Sequence, residues 1–198
     1  MNKEWLEQLA SDVEAKHGAE AREKIFGDIQ GVHEDHESKR KWFQQFVSGM
    51  DGLDDKDFLT AMMSERCPCS HREFEGIIRE NYDESETLEE FAGRLDRGNL
   101  IEDIVVSLEG NVLTLTKRPF EVYGKHSHTG PFSAACHCGL ASYAEEPVSD
   151  IFCHCCTVGF LGKMFKNALG KDVRVDFIDS VIIGGKGCTA AVHLPEKN

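Results

Sequence analysis

The sequence lacks the features that would place the protein in a membrane, outside the cell or on nucleic acid. No run of about 18 apolar residues occurs, so we expect no membrane span or membrane partner. The N-terminus has no apolar segment of a secretory signal, which predicts a cytoplasmic protein. Positive charge is scarce, and the formal net charge is −13. Because so acidic a surface repels phosphate backbones, we expect no nucleic-acid partner.

Familiar catalytic signatures are also missing from the chain. No Gly-rich phosphate loop follows a predicted strand. Neither a nucleophile elbow nor a His-Glu-x-x-His motif occurs, and no internal repeat is visible at a solenoid period. The cysteines are therefore the most informative candidates for a functional site.

Eight cysteines are clustered by type and spacing. They occur as Cys67-Pro68-Cys69, Cys136-His137-Cys138, Cys153-His154-Cys155-Cys156 and Cys188. In the reducing cytosol, metal binding or catalysis explains such clusters better than disulfides do. Thiolate and imidazole are the ligands that zinc prefers, so we predict zinc, with all eight cysteines as candidate ligands. The usual Cys-x-x-Cys runs of iron–sulfur proteins are absent, which favours zinc over such a cluster. The spacing leaves open which four residues bind each ion and how many ions bind.

The last two cysteine groups are predicted to meet in the fold. Apolar spacing predicts a helix from about Cys155 to Leu169, with Cys153, Cys155 and Cys156 at its positive N-terminal end, which stabilises thiolates. Cys188 begins the final predicted strand and is expected to reach this helix start. The alternative for Cys188 is a small buried apolar residue on a strand.

The remaining cysteines lie in predicted loops. Cys136 and Cys138 belong to a loop-like stretch from Pro119 to Asp150, which is long enough to suggest a function. Cys67 and Cys69 end the third apolar helix, because Pro68 cannot continue it. They either form a second site with His71, join the first site, or form a turn with two half-buried thiols.

Five histidines are further candidates. His71, His137 and His154 lie inside cysteine clusters and are either ligands or exposed side chains. His126 and His128 lie on the long loop, where they are either proton-transfer groups or solvent-exposed. We keep His126, His128 and His154 as the catalytic candidates.

The hydrophobic period predicts an α+β protein. Residues 1–98 read as helices, including one that begins at Thr87 with Glu90 in capping position. Residues 99–198 read as a cysteine-rich α+β region that binds metal and ligand, packed with the helices into one compact unit. Its strands are predicted as a hairpin of Ile101–Leu108 and Val112–Lys117, a strand from Val173 to Ile183, and a final strand from Cys188.

The C-terminal part resembles two known families. The segments Cys153-His-Cys-Cys-Thr-Val-Gly-Phe, Gly-Lys-Asp-Val-Arg-Val and Ser180-Val-Ile-Ile-Gly-Gly-Lys-Gly-Cys188 resemble the 4-vinyl-reductase-type small-molecule-binding domain. They are also similar to the L-2-amino-thiazoline-4-carboxylic acid hydrolase-like family, whose upstream Arg-Cys-Pro motif looks like Arg66-Cys67-Pro68. The likeness covers roughly residues 64–70 and 150–194. The chain departs from it in having Cys69, Cys136 and Cys138, and in having Thr189-Ala190 where an acidic residue and an aromatic are usual.

The resemblance implies an antiparallel sheet backed by helices, as in vinyl reductases and TRAPP subunits, with a pocket beside cysteines. It carries over Cys67, Cys188 and one of Cys153, Cys155 or Cys156. The function it favours is a zinc protein that binds a small molecule. Two alternatives stay open. One is a metal-dependent hydrolase of a small cyclic amide or thiazoline, in which zinc activates a bound water or, alternatively, a thiolate of Cys155 or Cys156 attacks directly. The other is a thiol-based redox or metal sensor. A homodimer is compatible with the sequence.

Overall fold

The computed structural model describes residues 3–29, 35–66, 72–97, 104–117 and 143–197. Within these ranges the chain is an α+β protein with one four-stranded antiparallel sheet, which confirms the predicted class. The helices are α1 Lys3–His17, α2 Ala19–Phe26, α3 His36–Asp51, α4 Lys56–Glu65, α5 Arg72–Asp83, α6 Leu88–Arg97, α7 Ile151–His154 and α8 Phe160–Leu169. The strands are β1 Ile104–Glu109, β2 Val112–Lys117, β3 Arg174–Asp179 and β4 Cys188–His193.

Two of the N-terminal helices, α3 and α4, begin at short acidic side chains that cap them. The Asp35 carboxylate accepts a hydrogen bond from the Ser38 amide at 2.9 Å and starts α3. Asp55 accepts from the Phe58 amide at 3.3 Å and starts α4. The helix α2 was not predicted from the sequence. Gly18, which precedes α2, interrupts the apolar pattern, although the C-terminal end of α2 is buried. No helix in the described ranges combines the length and the apolar composition needed to cross a bilayer.

The sheet has the strand order β1-β2-β4-β3. The predicted β1–β2 hairpin is confirmed, with Glu109 opposite Val112 and Gly110 at a φ of 59° in the turn. The inner face of the sheet packs against α8 through buried side chains that alternate along the strands. These include Leu113, Leu115, Val175, Ala190 and Val192.

The third strand is shorter than predicted. It was expected to reach Ile183, but it ends at Asp179, and a 3₁₀-helix follows at Val181–Ile183. The Ser180 hydroxyl oxygen accepts from the Ile182 amide at 3.4 Å, and the Ser180 amide donates to the Asp179 carboxylate at 2.8 Å. Such local hydrogen bonds compete with a strand ladder, so an apolar Val-Ile-Ile run forms a turn of helix instead.

Two apolar cores lie side by side and draw on both halves of the sequence. The helical core is formed by α1–α4, α7 and the 3₁₀-helix, with members that include Leu6, Phe26, Phe46, Leu59, Phe152 and Ile182. The sheet core is formed by α5, α6, α8 and the sheet, with members that include Ile78, Phe91, Leu113, Phe165 and Val192. Phe160 packs against both cores. The helices α5 and α6, although they precede residue 98, therefore share a core with the sheet.

Candidate metal site

The structure describes half of the predicted metal ligands, namely Cys153, Cys155, Cys156 and Cys188, and one candidate histidine, His154. The others, Cys67, Cys69, Cys136, Cys138, His71, His126, His128 and His137, lie outside the described residues. Among the residues described, no three His, Cys, Asp or Glu side chains are grouped so as to hold a metal ion. The described residues therefore do not complete a metal site by themselves.

The cysteine-bearing helix begins earlier than predicted. It starts at Ile151, with Asp150 at the N-cap position, so the predicted start near Cys155 is wrong. The Asp150 carboxylate does not cap this helix but pairs with the Lys56 ammonium at 3.0 Å, and no sequence pattern revealed this. The field of a helix N-terminus fades within the first turn. It therefore acts on Cys153, whose amide donates to the Asp150 carbonyl at 2.8 Å, and reaches Cys155 and Cys156 only weakly.

A π-helical segment, Cys155–Gly159, joins α7 to α8. The Phe160 amide donates back to the Cys155 carbonyl across the widened turn. The Thr157 hydroxyl donates to the Cys153 carbonyl at 2.6 Å, so side chains complete part of the hydrogen bonding. Such bulges are common at functional sites. Here the bulge carries two of the candidate cysteines.

The C-terminal end of α4 lies directly against this π-helical segment. A Cβ atom built on Gly159 would lie 2.2 Å from the Ser64 carbonyl oxygen, so the two backbones are in contact. The Ser64 hydroxyl donates to the Thr60 carbonyl at 2.8 Å and lies 3.4 Å from the His154 carbonyl, and the Lys163 ammonium donates to the Glu65 carbonyl at 2.7 Å. The end of α4 is thereby fixed beside the cysteine-bearing turn.

Cys153 and Cys156 have Cys-x-x-Cys spacing, so the expectation that this spacing is absent from the chain is wrong. Residues three apart share one side of a helix, whereas Cys155 is turned by about 200° from Cys153 in a regular helix. Cys153 and Cys155 are both buried in the helical core, and Cys156 is half-buried. Regular helical spacing groups Cys153 with Cys156, whereas burial groups Cys153 with Cys155, so neither pair is singled out as the ligands.

Cys188 begins β4, as predicted, and lies opposite Lys117 of β2. Strand alternation places it on the inner face, the same face as the buried Ala190. Its sulfur lies 3.4 Å from the hydroxyl oxygen of Ser180. Because Cys188 is half-buried and lies next to a polar group, its environment differs from that of an ordinary buried apolar residue.

The imidazole of His154 lies over the same region of the sheet. Its ring centre is 5.7 Å from that of Phe177, which pairs with Ala190 on β4. Burial lowers the pKa of His154, although the nearby Asp150 carboxylate acts in the opposite direction. The ring is therefore held neutral at neutral pH, which is the form that binds metals and accepts protons.

The π-helical segment contacts both β3 and β4. These contacts are between whole elements, so the predicted approach of Cys188 to the helix start stays a prediction. Sequence reasoning missed Ser180, whose signal was its position just before an apolar run that ends in Gly184-Gly185.

Comparison with known proteins adds no assignment. No family model matches the chain, and no curated protein matches it significantly. The resemblance to vinyl-reductase-type domains and to thiazoline hydrolases stays a prediction.

Proposed function

We propose that the protein binds zinc through cysteine thiolates and binds a small molecule next to the metal. The observation that supports this most is the contact between the π-helical segment, which carries Cys155 and Cys156, and β4, which begins with Cys188. The two elements that carry these cysteines are distant in sequence and pack against each other. Thiolate ligands from separate elements are typical of structural zinc sites.

Zinc needs four ligands, and the proposal draws the missing ones from the other two cysteine clusters. Cys67 follows Arg66, the residue at the C-cap of α4, whose end contacts the π-helical segment. The chain that carries Cys136 and Cys138 continues from Lys117, which lies opposite Cys188 in the sheet. Both clusters are thus joined in sequence to elements that border the same region.

A metal-dependent hydrolase of a small cyclic amide or thiazoline is the second candidate. It is supported by His154, since burial lowers the pKa of this imidazole and leaves it able to accept a proton at neutral pH. Such a site would keep one zinc position for water and use three protein ligands. His154 would then take the proton from the attacking water.

Metal analysis of protein purified without an affinity tag tests the first proposal. We expect about one or two zinc ions per chain, because eight thiols suffice for two closed sites. Cys188→Ala and Cys155→Ala should each lower the zinc content and the melting temperature together, since structural zinc contributes directly to folding free energy. His193→Ala is the matched control: it lies on the opposite face of the same strand, bonded to Asp176 at 2.8 Å, and should keep full zinc content.

Full zinc content in both cysteine variants would contradict the ligand assignment. Wild-type protein that holds no metal but forms a reversible disulfide between Cys153 and Cys156 would instead favour the redox sensor. The hydrolase is tested with a cyclic thiazoline substrate. His154→Ala should keep its zinc and lose turnover of this substrate. A wild-type protein that binds zinc but does not hydrolyse the thiazoline would contradict this second candidate.

A further inference from the structure

We propose that Ser180 is a positioning residue, whose hydroxyl holds the Cys188 sulfur in the orientation needed to bind the metal. The inference rests on the proposed zinc site and adds the group that orients one of its ligands. Ser180 is 1% exposed, and its hydroxyl oxygen is 3.4 Å from the Cys188 sulfur. The contact joins the turn after β3 to the first residue of β4.

The direction of this hydrogen bond follows from the other partner of the serine. The Ile182 amide donates to the Ser180 oxygen at 3.4 Å, so one lone pair of that oxygen is already used. The hydroxyl proton needs an acceptor, because a buried donor without one destabilises the fold. Among the described residues, the Cys188 sulfur is the acceptor within reach of this hydroxyl. The serine therefore donates and the sulfur accepts, which suits a thiolate better than a thiol.

Ser180 is itself held in place by its backbone. Its amide donates to the Asp179 carboxylate at 2.8 Å, and its carbonyl accepts from the Gly185 amide at 2.9 Å and the Ile183 amide at 3.3 Å. The Asp179 carboxylate lies against Gly185 so closely that a Cβ there would be 2.0 Å from an oxygen. The hydroxyl is thus fixed before any metal binds. Outer partners of this kind orient metal ligands and raise affinity.

Zinc affinity of Ser180→Ala, measured by competition with a chromophoric chelator, is the first test. We expect about a 10-fold to 100-fold weaker affinity than wild type, the usual effect of losing an outer partner of a ligand. Ser85→Ala is the matched control, because Ser85 is also buried, at 6% exposure, and donates to the Asn81 carbonyl at 2.6 Å in a turn with no cysteine. It should lose a comparable hydrogen bond and keep wild-type affinity.

Substitution of zinc by cobalt gives a spectrum that would not change if Ser180 had a purely structural role. The sulfur-to-cobalt charge-transfer bands should shift in Ser180→Ala, because the hydroxyl no longer withdraws electron density from the Cys188 sulfur. They should be unchanged in Ser85→Ala and weakened in Cys188→Ala. Wild-type affinity and spectrum in Ser180→Ala would overturn the role of Ser180 and leave the zinc proposal intact.

Each of the remaining outcomes would also overturn the role proposed for Ser180. Equal losses of affinity in the two serine variants would overturn the inference, because they would report general destabilisation. Unchanged cobalt bands in Cys188→Ala would overturn it while leaving zinc on the other cysteines. Wild-type protein that binds neither zinc nor cobalt would overturn both proposals together.

Discussion

Gly159 is the residue at which two backbones come closer than any side chain permits. The carbonyl of Ser64 occupies the space that a Cβ would need, at 2.2 Å from the position of that atom. This contact ties the end of α4 to the π-helical segment and so to the candidate site. It was visible in the sequence only as a glycine inside a helix, a pattern that allows a close approach without naming the partner.

Gly159→Ala should therefore destabilise the fold. We expect a loss of about 1–3 kcal/mol in the free energy of unfolding, because the two backbones must separate to admit the methyl group. Gly76→Ala is the matched control, since Gly76 lies within α5 and a Cβ there meets nothing within 4 Å. That change should stabilise the protein by about 0.5–1 kcal/mol through higher helix propensity. Urea denaturation measures both, and equal effects would show that the close contact is absent in solution.

The residues around Cys188 show what spacing can and cannot predict. The start of β4 at Cys188 followed from alternation of apolar residues. The role of Ser180 did not, because it depends on a turn that brings the hydroxyl back toward a sulfur eight positions later. Hydrogen bonds of this kind depend on backbone geometry that hydrophobic period does not encode.

The N-terminal end of α6 is the element whose local structure followed most directly from sequence. The Glu90 amide donates to the Thr87 hydroxyl at 3.1 Å, which confirms the predicted cap. The Glu90 carboxylate accepts from the Glu86 amide at 2.9 Å, one residue before the position expected for a capping box. Both bonds satisfy donors that a helix start otherwise leaves to water.

Thr87→Ala should cost about 1 kcal/mol of unfolding free energy, the usual value for a lost N-cap. Thr60→Ala offers the comparison, since the Thr60 hydroxyl donates back to the Lys56 carbonyl at 3.0 Å within α4 and caps nothing. Replacing a β-branched residue in an exposed helix interior should be neutral or slightly stabilising. Thermal denaturation of the two variants should therefore separate them, and similar melting temperatures would argue against the cap.

The cap should also weaken in acid. The backbone hydrogen bond from Glu86 lowers the pKa of Glu90 below its ordinary value of 4.5, and the hydrogen bond from Arg94 lowers it further. The unfolded state then binds the proton first, so this contribution to stability is present above pH 4.5 and is lost as the pH falls through the folded value. The stability difference between wild type and Glu90→Gln should be largest near pH 7 and shrink towards pH 3. A constant difference across that range would contradict this linkage.

Other elements departed from expectation for tertiary reasons. The π-helical segment is absent from the sequence prediction because its bulge is stabilised by Thr157 and by contact with Ser64, on an element about ninety residues away. The α7 helix begins earlier than predicted because Ile151 and Phe152 pack into the helical core. Hydrophobic period located most of the helices and the hairpin, and it failed at α2, at the start of α7 and where side chains hydrogen-bond to the backbone.

At the scale of the whole molecule, the two cores determine how the protein unfolds. Both tryptophans, Trp5 and Trp42, lie in the helical core, so their fluorescence reports on that core alone. Phe160 and the contact between α4 and the π-helical segment connect it to the sheet core. Because these contacts couple the two cores, we expect a single cooperative transition.

Leu113→Ala tests this expectation, because Leu113 belongs to the sheet core, which contains no tryptophan. Leu113 is fully buried in the sheet core, and its truncation should cost about 2–5 kcal/mol. If the cores unfold together, the midpoint of the tryptophan transition in urea must fall, although no tryptophan lies near Leu113. Leu59→Ala, equally buried in the helical core, should lower it by a similar amount. An unchanged fluorescence midpoint in Leu113→Ala would mean that the cores unfold separately.

The fold class was predictable from the sequence, whereas the candidate site was predictable only in part. The change of hydrophobic period after residue 98 was enough to predict helices followed by an antiparallel sheet. Which cysteines meet depends on the directions of their side chains: Cys153 and Cys155 are buried in the helical core, Cys156 is half-buried, and Cys188 begins a strand of the sheet. Spacing along a chain does not determine these directions.

The position of β4 between β2 and β3 has a consequence for how the chain is made. Both of its neighbours precede it in the sequence, so β2 and β3 emerge from the ribosome with open edges. Neither edge is protected until residues 188–193 have been synthesised. A nascent chain that stalls before β4 would expose two strand edges whose unpaired backbone groups can pair with other chains. We therefore expect chaperone binding during translation to reduce aggregation most just before Cys188 is added.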